Sequence, residues 1–170
     1  ILESRWPEFE AMLLGQGSPE QLAIYASDCI KGPFPEAHAQ IIQDADAAFY
    51  YARNALNARW IEAESVIMVD PDAGLKYAML VRESRWPEFE ATLFQMDDDG
   101  RPTYLPQALT YALHFGCRLP EPMHFHLEEH IRVFRRPYLN KLVDLVEYAL
   151  AHHMQYQGLE FNTLVDPQKA

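Results

Sequence analysis

The sequence predicts an all-α protein of tandem two-helix repeats of about 26 residues, stacked as a short solenoid and closed by longer C-terminal helices. Three observations lead there. Glu3–Ala11 and Glu83–Ala91 both read ESRWPEFEA, an identity that chance does not readily produce. Two degenerate copies lie between them, KGPFPEAHA from Lys31 and NARWIEAES from Asn57, so Trp6, Phe34, Trp60 and Trp86 are spaced by 28, 26 and 26 residues. A Tyr-Ala pair stands nine positions before each of the last three aromatics, at Tyr25-Ala26, Tyr51-Ala52 and Tyr77-Ala78.

Within one period the first helix is expected over Ala47–Leu56, where Ala48, Tyr51, Ala52 and Ala55 recur at helical offsets on one face. Small residues on that face let a neighbour come close. The chain turns near Arg59 and Trp60. Pro7, Pro35 and Pro87 follow their aromatics directly, where a first-turn proline loses no helical hydrogen bond. Glu8, Glu36, Glu62 and Glu88 come next, and a carboxylate there meets the free N–H groups of a helix start, a gain of roughly 0.3–1 kcal/mol when exposed. The second helix presents Ala37, Ile41 and Ile42, then Ala63, Ile67 and Met68, then Phe89, Leu93 and Phe94. Asp44 and Asp70-Pro71 end one unit and start the next. The aromatics are expected to wedge between paired helices and set the repeat spacing, with a ligand-stacking ladder as the minor alternative.

The array frays after its third full copy. Gln95–Pro106, containing Asp97-Asp98-Asp99-Gly100, reads as a loop, and it lacks the ligand spacing of a calcium-binding helix-loop-helix. Tyr111-Ala112 and Arg118-Leu119-Pro120-Glu121 read as a fourth, distorted copy, with Tyr111 lying 34 residues after Tyr77. An amphipathic helix is expected over Tyr138–Gln155, with Leu139, Leu142, Val143, Val146, Ala149 and Leu150 on its apolar face. The predicted organisation is therefore repeats over 1–96, a loop and distorted repeat over 97–122, and capping helices over 123–170. Because Ile1 falls halfway through a repeat, further sequence upstream is expected.

Charge bounds the partners. The 170 residues carry 14 Lys and Arg against 25 Asp and Glu, a net charge of -11. Nine of the basic and eighteen of the acidic residues lie in Ile1–Pro120, so the acidity belongs mainly to the array. A phosphate backbone needs positive counter-charge, which argues against direct nucleic-acid binding. Two cysteines, Cys29 and Cys117, make neither a disulfide framework nor a thiolate zinc cluster, and the apolar stretches are too short for a membrane span. A cytoplasmic protein is expected. Cys29 shares its repeat position with Ala55 and Val81 and reads as a packing residue.

Few residues suggest chemistry. His124, His126, Glu128, Glu129 and His130 cluster, with His114, His152 and His153 in the same half. On a helix, His126 and His130 share a face and could hold a divalent metal with His152 or His153 as third ligand. Leu127 stands where the H-E-x-x-H motif has its general base, so metalloprotease chemistry lacks a proton acceptor. Glycine-rich nucleotide cradles and the serine-hydrolase elbow are missing. No catalytic residue and no cofactor is assigned. Arg132, Arg135 and Arg136 form the one concentrated basic spot.

The repeat resembles poorly characterised short tandem repeats in proteins of large DNA bacteriophages and some bacteria. The matching elements are Tyr25-Ala26 with Ile30–Ala37, Tyr51-Ala52 with Arg59–Glu64, and Tyr77-Ala78 with Arg85–Glu90. The match covers about Leu2–Met96 and the copy near Tyr111. It departs from the pattern at His38, where Glu is usual, and at Ile61, where Pro is usual. The resemblance implies a phage or prokaryotic origin and carries no activity.

These features point to a non-catalytic module whose acidic surface engages a protein partner with a basic surface, the candidate contacts being Glu36, Glu62, Glu64, Glu88 and Glu90. A phage-encoded inhibitor or accessory factor is one form of it. The alternatives are a metal-dependent enzyme centred on His126 and His130, and a structural protein that self-associates through its open N-terminal repeat.

Overall fold

A computed structural model describes residues 5–126 and two short strands, Gln155–Tyr156 and Leu159–Glu160. The chain divides into two compact units, Ile1–Thr92 and Leu93–Ala170.

The first unit is the repeat stack. Helix α1 spans Pro7–Gln16, and α2 spans Pro19–Ile24 and continues as a π-helix over Tyr25–Ile30. A 3₁₀ turn at Pro35–Ala37 leads into α3, His38–Ile41. The pattern returns as α4, Ala45–Tyr51, with its π-helical end Ala52–Leu56, then a 3₁₀ turn at Ile61–Ala63 and α5, Glu64–Ile67. It returns again as α6, Pro71–Tyr77, with its π end Ala78–Arg82, followed by α7, Pro87–Leu93. Helix α2 packs on α4 and α4 on α6, so the first helices of successive repeats stand side by side.

Each first helix starts on a side-chain cap 26 residues after the last. Ser18 forms a capping box with Gln21, Asp44 accepts the Ala47 N–H, and Asp70 accepts the Asp72 and Ala73 N–H groups. Each closes on a left-handed residue, Lys31, Asn57 or Glu83, at φ 56°, 49° and 51°. The continuous α-helix expected to reach Leu56 instead changes to π at Ala52. The carbonyl of Ala52 then takes the N–H groups of both Asn57 and Ala58, and Ala26 does the same for Lys31 and Gly32. One carbonyl thereby satisfies two successive N–H groups where the chain leaves the helix.

The two residues between the 26-residue period and the first spacing of 28 sit in α1. It runs for ten residues, whereas the same stretch in the next copy is Pro35–Ile41.

Packing explains why such short helices persist. A seven-residue segment is not helical on its own, but Ala37, Ile41, Ala63, Ile67, Phe89 and Leu93 are all wholly buried, as are Ala26, Ala52 and Ala78 of the Tyr-Ala pairs. Burial of a large apolar side chain contributes roughly 1.5–3 kcal/mol. Gly74 in α6 lies flat against Phe89, where a Cβ would overlap the ring. The pairs with the same 15-residue spacing in the earlier copies are Ala48 with Ala63 and Leu22 with Ala37, all fully buried. Volume is thus exchanged between the two helices from copy to copy.

Two expectations are corrected in this unit. Phe34, Trp60 and Trp86 are buried, but Trp6 is 61% exposed. Each buried anchor packs on the tyrosine nine residues before it, with centroids 5.8, 5.0 and 5.4 Å apart for Tyr25–Phe34, Tyr51–Trp60 and Tyr77–Trp86. Trp6 has no such tyrosine in these 170 residues and rests on Phe9 of its own helix. Cys29 is exposed rather than packed: among the described residues its π-helical segment packs on that of Ala52–Leu56, whereas the segment of Ala55 packs on both Tyr25–Ile30 and Ala78–Arg82.

In the second unit the loop after α7 is tied by Asp97, whose Oδ1 accepts the Asp99 and Arg101 N–H groups, and by a bridge between Met96 and Pro102. Helix α8 spans Leu105–Phe115, burying Tyr111 and Ala112, and ends on Gly116 at φ 60°. Leu119 is buried before Pro120, and residues 121–126 are helical. The order of helix, left-handed turn, buried apolar residue and proline is shared with the copies at Phe34-Pro35 and Trp86-Pro87. Strand β1, Gln155–Tyr156, pairs antiparallel with β2, Leu159–Glu160. Gln155, placed at the end of the expected C-terminal helix, is therefore a strand residue. The rest of that helix lies outside the described residues.

Candidate functional site

The anchor aromatic, the tyrosine of the next first helix and a carboxylate four residues past the anchor form one recurring clasp. Tyr77 Oη accepts the Trp60 N–H at 2.8 Å and donates to Glu64 Oε1 at 3.2 Å. Tyr25 makes the same two contacts to Trp6 N–H, at 3.4 Å, and to Glu10, at 3.1 Å. The arginine just before the anchor then closes on the carboxylate: Arg5 on Glu10, Arg59 on Glu64 and Arg85 on Glu90. Arg82 adds a second cation to Glu64 and lies 4.9 Å from the Trp86 ring centroid. Arg5 holds the Glu10 carboxyl below its usual range, and burial pushes the Tyr77 hydroxyl up to about 12.

The second copy replaces both charged partners. Pro33 stands in the arginine position and His38 in that of the carboxylate. Tyr51 Oη accepts the Phe34 N–H at 2.7 Å and lies 2.8 Å from His38 Nε2. When the imidazole is neutral with its proton on Nδ1, Nε2 accepts the hydroxyl proton. Burial lowers the His38 pKa in the same sense. Its ring packs against Trp60 at 4.9 Å. This is the physical content of the departure seen at His38.

The five candidate contact residues therefore fall into two groups. Glu64 and Glu90 each keep 14% side-chain exposure and are held by arginines of their own chain. Glu36, Glu62 and Glu88 are exposed at the starts of successive second helices, Glu36 pairing with Arg5 at 2.8 Å, which lowers its pKa.

A second acidic ladder escaped the sequence reading. Glu20, Asp46 and Asp72 recur every 26 residues in the first turns of α2, α4 and α6, and all three are exposed. Their fixed offset of five residues before the Tyr-Ala tyrosine was the available signal. Between α2, α4 and α6 lies a groove of about 550 Å³, walled by Glu20, Asp44 and Asp46, with Ile24, Phe49 and Tyr50 among its lining and Lys76 at one end.

Of the candidate metal ligands, His126 is half-buried and is the last described residue of the helical stretch that begins at 121. His130 and His152 lie outside the described residues. Among the described residues no three His, Cys, Asp or Glu side chains converge as a metal site, and no helix is long and apolar enough to cross a membrane. Cys117 is buried, its N–H bonded to the Ala112 carbonyl.

Fold and surface together define an all-helical repeat module whose two acidic ladders follow the repeat. Compared with protein-family models, curated proteins and solved structures, the chain matches none.

Proposed function

We propose that the protein is a non-catalytic binding module whose acidic repeat surface engages a protein partner with a basic surface. The observation that carries this reading is the pair of exposed ladders, Glu20–Asp46–Asp72 and Glu36–Glu62–Glu88, at two fixed positions of a 26-residue repeat. Regularly spaced charge of one sign steers encounter with an oppositely charged surface and disfavours like-charged ones. A stack offers such charge on an extended surface at modest chain length. The clasps are the scaffold in this account: Glu64 and Glu90 hold the repeat in shape, while Glu36, Glu62 and Glu88 meet the partner.

The resemblance to phage and bacterial repeats suggests one form, an inhibitor or accessory factor acting in the cytoplasm by covering a site on its target. The test is affinity capture from a bacterial lysate with the wild-type chain and with a Glu62→Lys/Glu88→Lys variant of matched thermal stability. Basic proteins retained by the wild type and lost by the variant are expected. An identical retained set for both would remove this reading.

A further inference from the structure

We propose that the groove between α2 and α4 takes a lysine side chain from a partner peptide, held between the Glu20 carboxylate and the Tyr50 ring. This rests on the reading of the protein as a binder of basic partners, and gives that binding a place and a ligand.

The inference comes from comparing one step of the stack with the next. Between α4 and α6, Lys76 Nζ lies 3.1 Å from Asp46 Oδ1 and 6.0 Å from the centroid of the Phe49 ring. An ammonium group is favoured there twice, by the carboxylate and by the face of the aromatic ring. One repeat earlier, the positions of Asp46, Lys76 and Phe49 hold Glu20, Tyr50 and Ala23. The acid is kept, the cation is replaced by a phenol, and the ring is cut back to a methyl group. Only the exchange of Phe49 for Ala23 removes volume, and the groove includes both Ala23 and Tyr50 in its lining.

Charge agrees with the shape. Three carboxylates, Glu20, Asp44 and Asp46, line the groove against a single cation, Lys76, which is already engaged by Asp46. Asp44 spends one oxygen, Oδ1, on the Ala47 N–H. Ile24, 40% exposed, offers an apolar wall for the methylene stem of an incoming lysine. The chain thus displays, at one step, the ligand that the neighbouring step lacks.

The positions that would meet the ligand also vary while their surroundings do not. Ile24, Tyr50 and Lys76 share one repeat position, and Ser27, Arg53 and Met79 share the next one along the helix. The caps, the Tyr-Ala pairs and the first-turn acids recur at each step. Surface variation on a constant frame is how a repeat stack acquires selectivity for one peptide.

The test titrates a blocked hexalysine peptide into the full chain at low salt, by calorimetry and by amide chemical shifts. Shifts are expected at Ser18–Ile24 and Ala47–Tyr50. Glu20→Gln, an exposed change, is expected to weaken binding about fivefold. Tyr50→Lys supplies an internal ammonium to Glu20 and is expected to weaken it by at least as much, whereas Lys76→Gln frees Asp46 and tightens it. Hexalysine acetylated on every side chain is expected not to bind. If hexalysine binds the wild type, Glu20→Gln and Tyr50→Lys equally while Glu62→Lys/Glu88→Lys loses it, the groove is overturned and the broader acidic surface stands. If none of the four proteins binds it, both readings fall.

Discussion

The hydroxyl of Tyr77 accepts the backbone N–H of Trp60, 17 residues earlier, at 2.8 Å. Both residues are buried, and the bond joins the turn of one hairpin to the first helix of the next. A single phenol thereby fastens two repeats and satisfies an N–H that the 3₁₀ turn leaves outside any helix.

Removing that hydroxyl tests the fastening. Tyr77→Phe keeps the ring on Trp86 but leaves the Trp60 N–H buried and unpaired, a loss of about 1–3 kcal/mol. Urea denaturation is expected to show it. Tyr25→Phe is expected to cost less, since its bond to the Trp6 N–H is 3.4 Å long and Trp6 is exposed.

Gly74→Ala should destabilise the chain despite the better helix propensity of alanine. The added methyl meets the Phe89 ring, and overpacking costs about 1–3 kcal/mol against a propensity gain of about 1 kcal/mol. Adding Phe89→Ala recreates the Ala48 and Ala63 pairing of the previous copy. The double variant is expected to be more stable than the sum of the single changes predicts, and a double-mutant cycle in urea measures this.

Glu83 sits at φ 51°, ψ 30°, a left-handed conformation that suits glycine better than a residue with a Cβ. Glu83→Gly is expected to raise stability by about 0.5–1 kcal/mol. Asn57→Gly at the equivalent site gains less, because asparagine already tolerates this region. Thermal melts of the two variants make the comparison.

Stability should fall with acid in two stages. His38 has a folded pKa below its ordinary 6.5, so the unfolded chain binds the proton more readily. Its contribution is whole above pH 6.5 and is lost as pH falls through the folded value. Burial outweighs the nearby Glu62 and Glu36 carboxylates, which act in the opposite direction, and the Tyr51 hydroxyl and Trp60 ring complete its surroundings. Glu10, lowered by Arg5, adds a second loss below its ordinary 4.5. Urea midpoints measured against pH are expected to decline in both windows, and His38→Gln is expected to flatten the upper one alone.

The period, the hairpin, the Asp44 and Asp70 starts and three of the four aromatic anchors were legible because each depends on residues close in sequence. The π-helical ends were not. Ala52 and Ala26 are set in that geometry by where two successive N–H groups must go at a crowded turn, and no periodicity of side chains records it. The roles of Glu64 and Glu90 were hidden for another reason. Both read as surface carboxylates for a basic partner, and the five-residue spacing to Arg59 or Arg85 acquires meaning only once the turn brings them together. The groove was invisible because it depends on what Ala23 and Tyr50 lack relative to Phe49 and Lys76.

Every tyrosine clasp reaches back less than one repeat, so no fastening needs to know how many units the stack contains. The segment Asp44–Val69 carries a cap, a tyrosine, an anchor and its proton-accepting neighbour, which is everything required to meet a unit on either side. Duplicating such a segment lengthens the molecule without asking the rest to repack. Elongation by whole units is therefore an evolutionary and engineering route that this architecture leaves open.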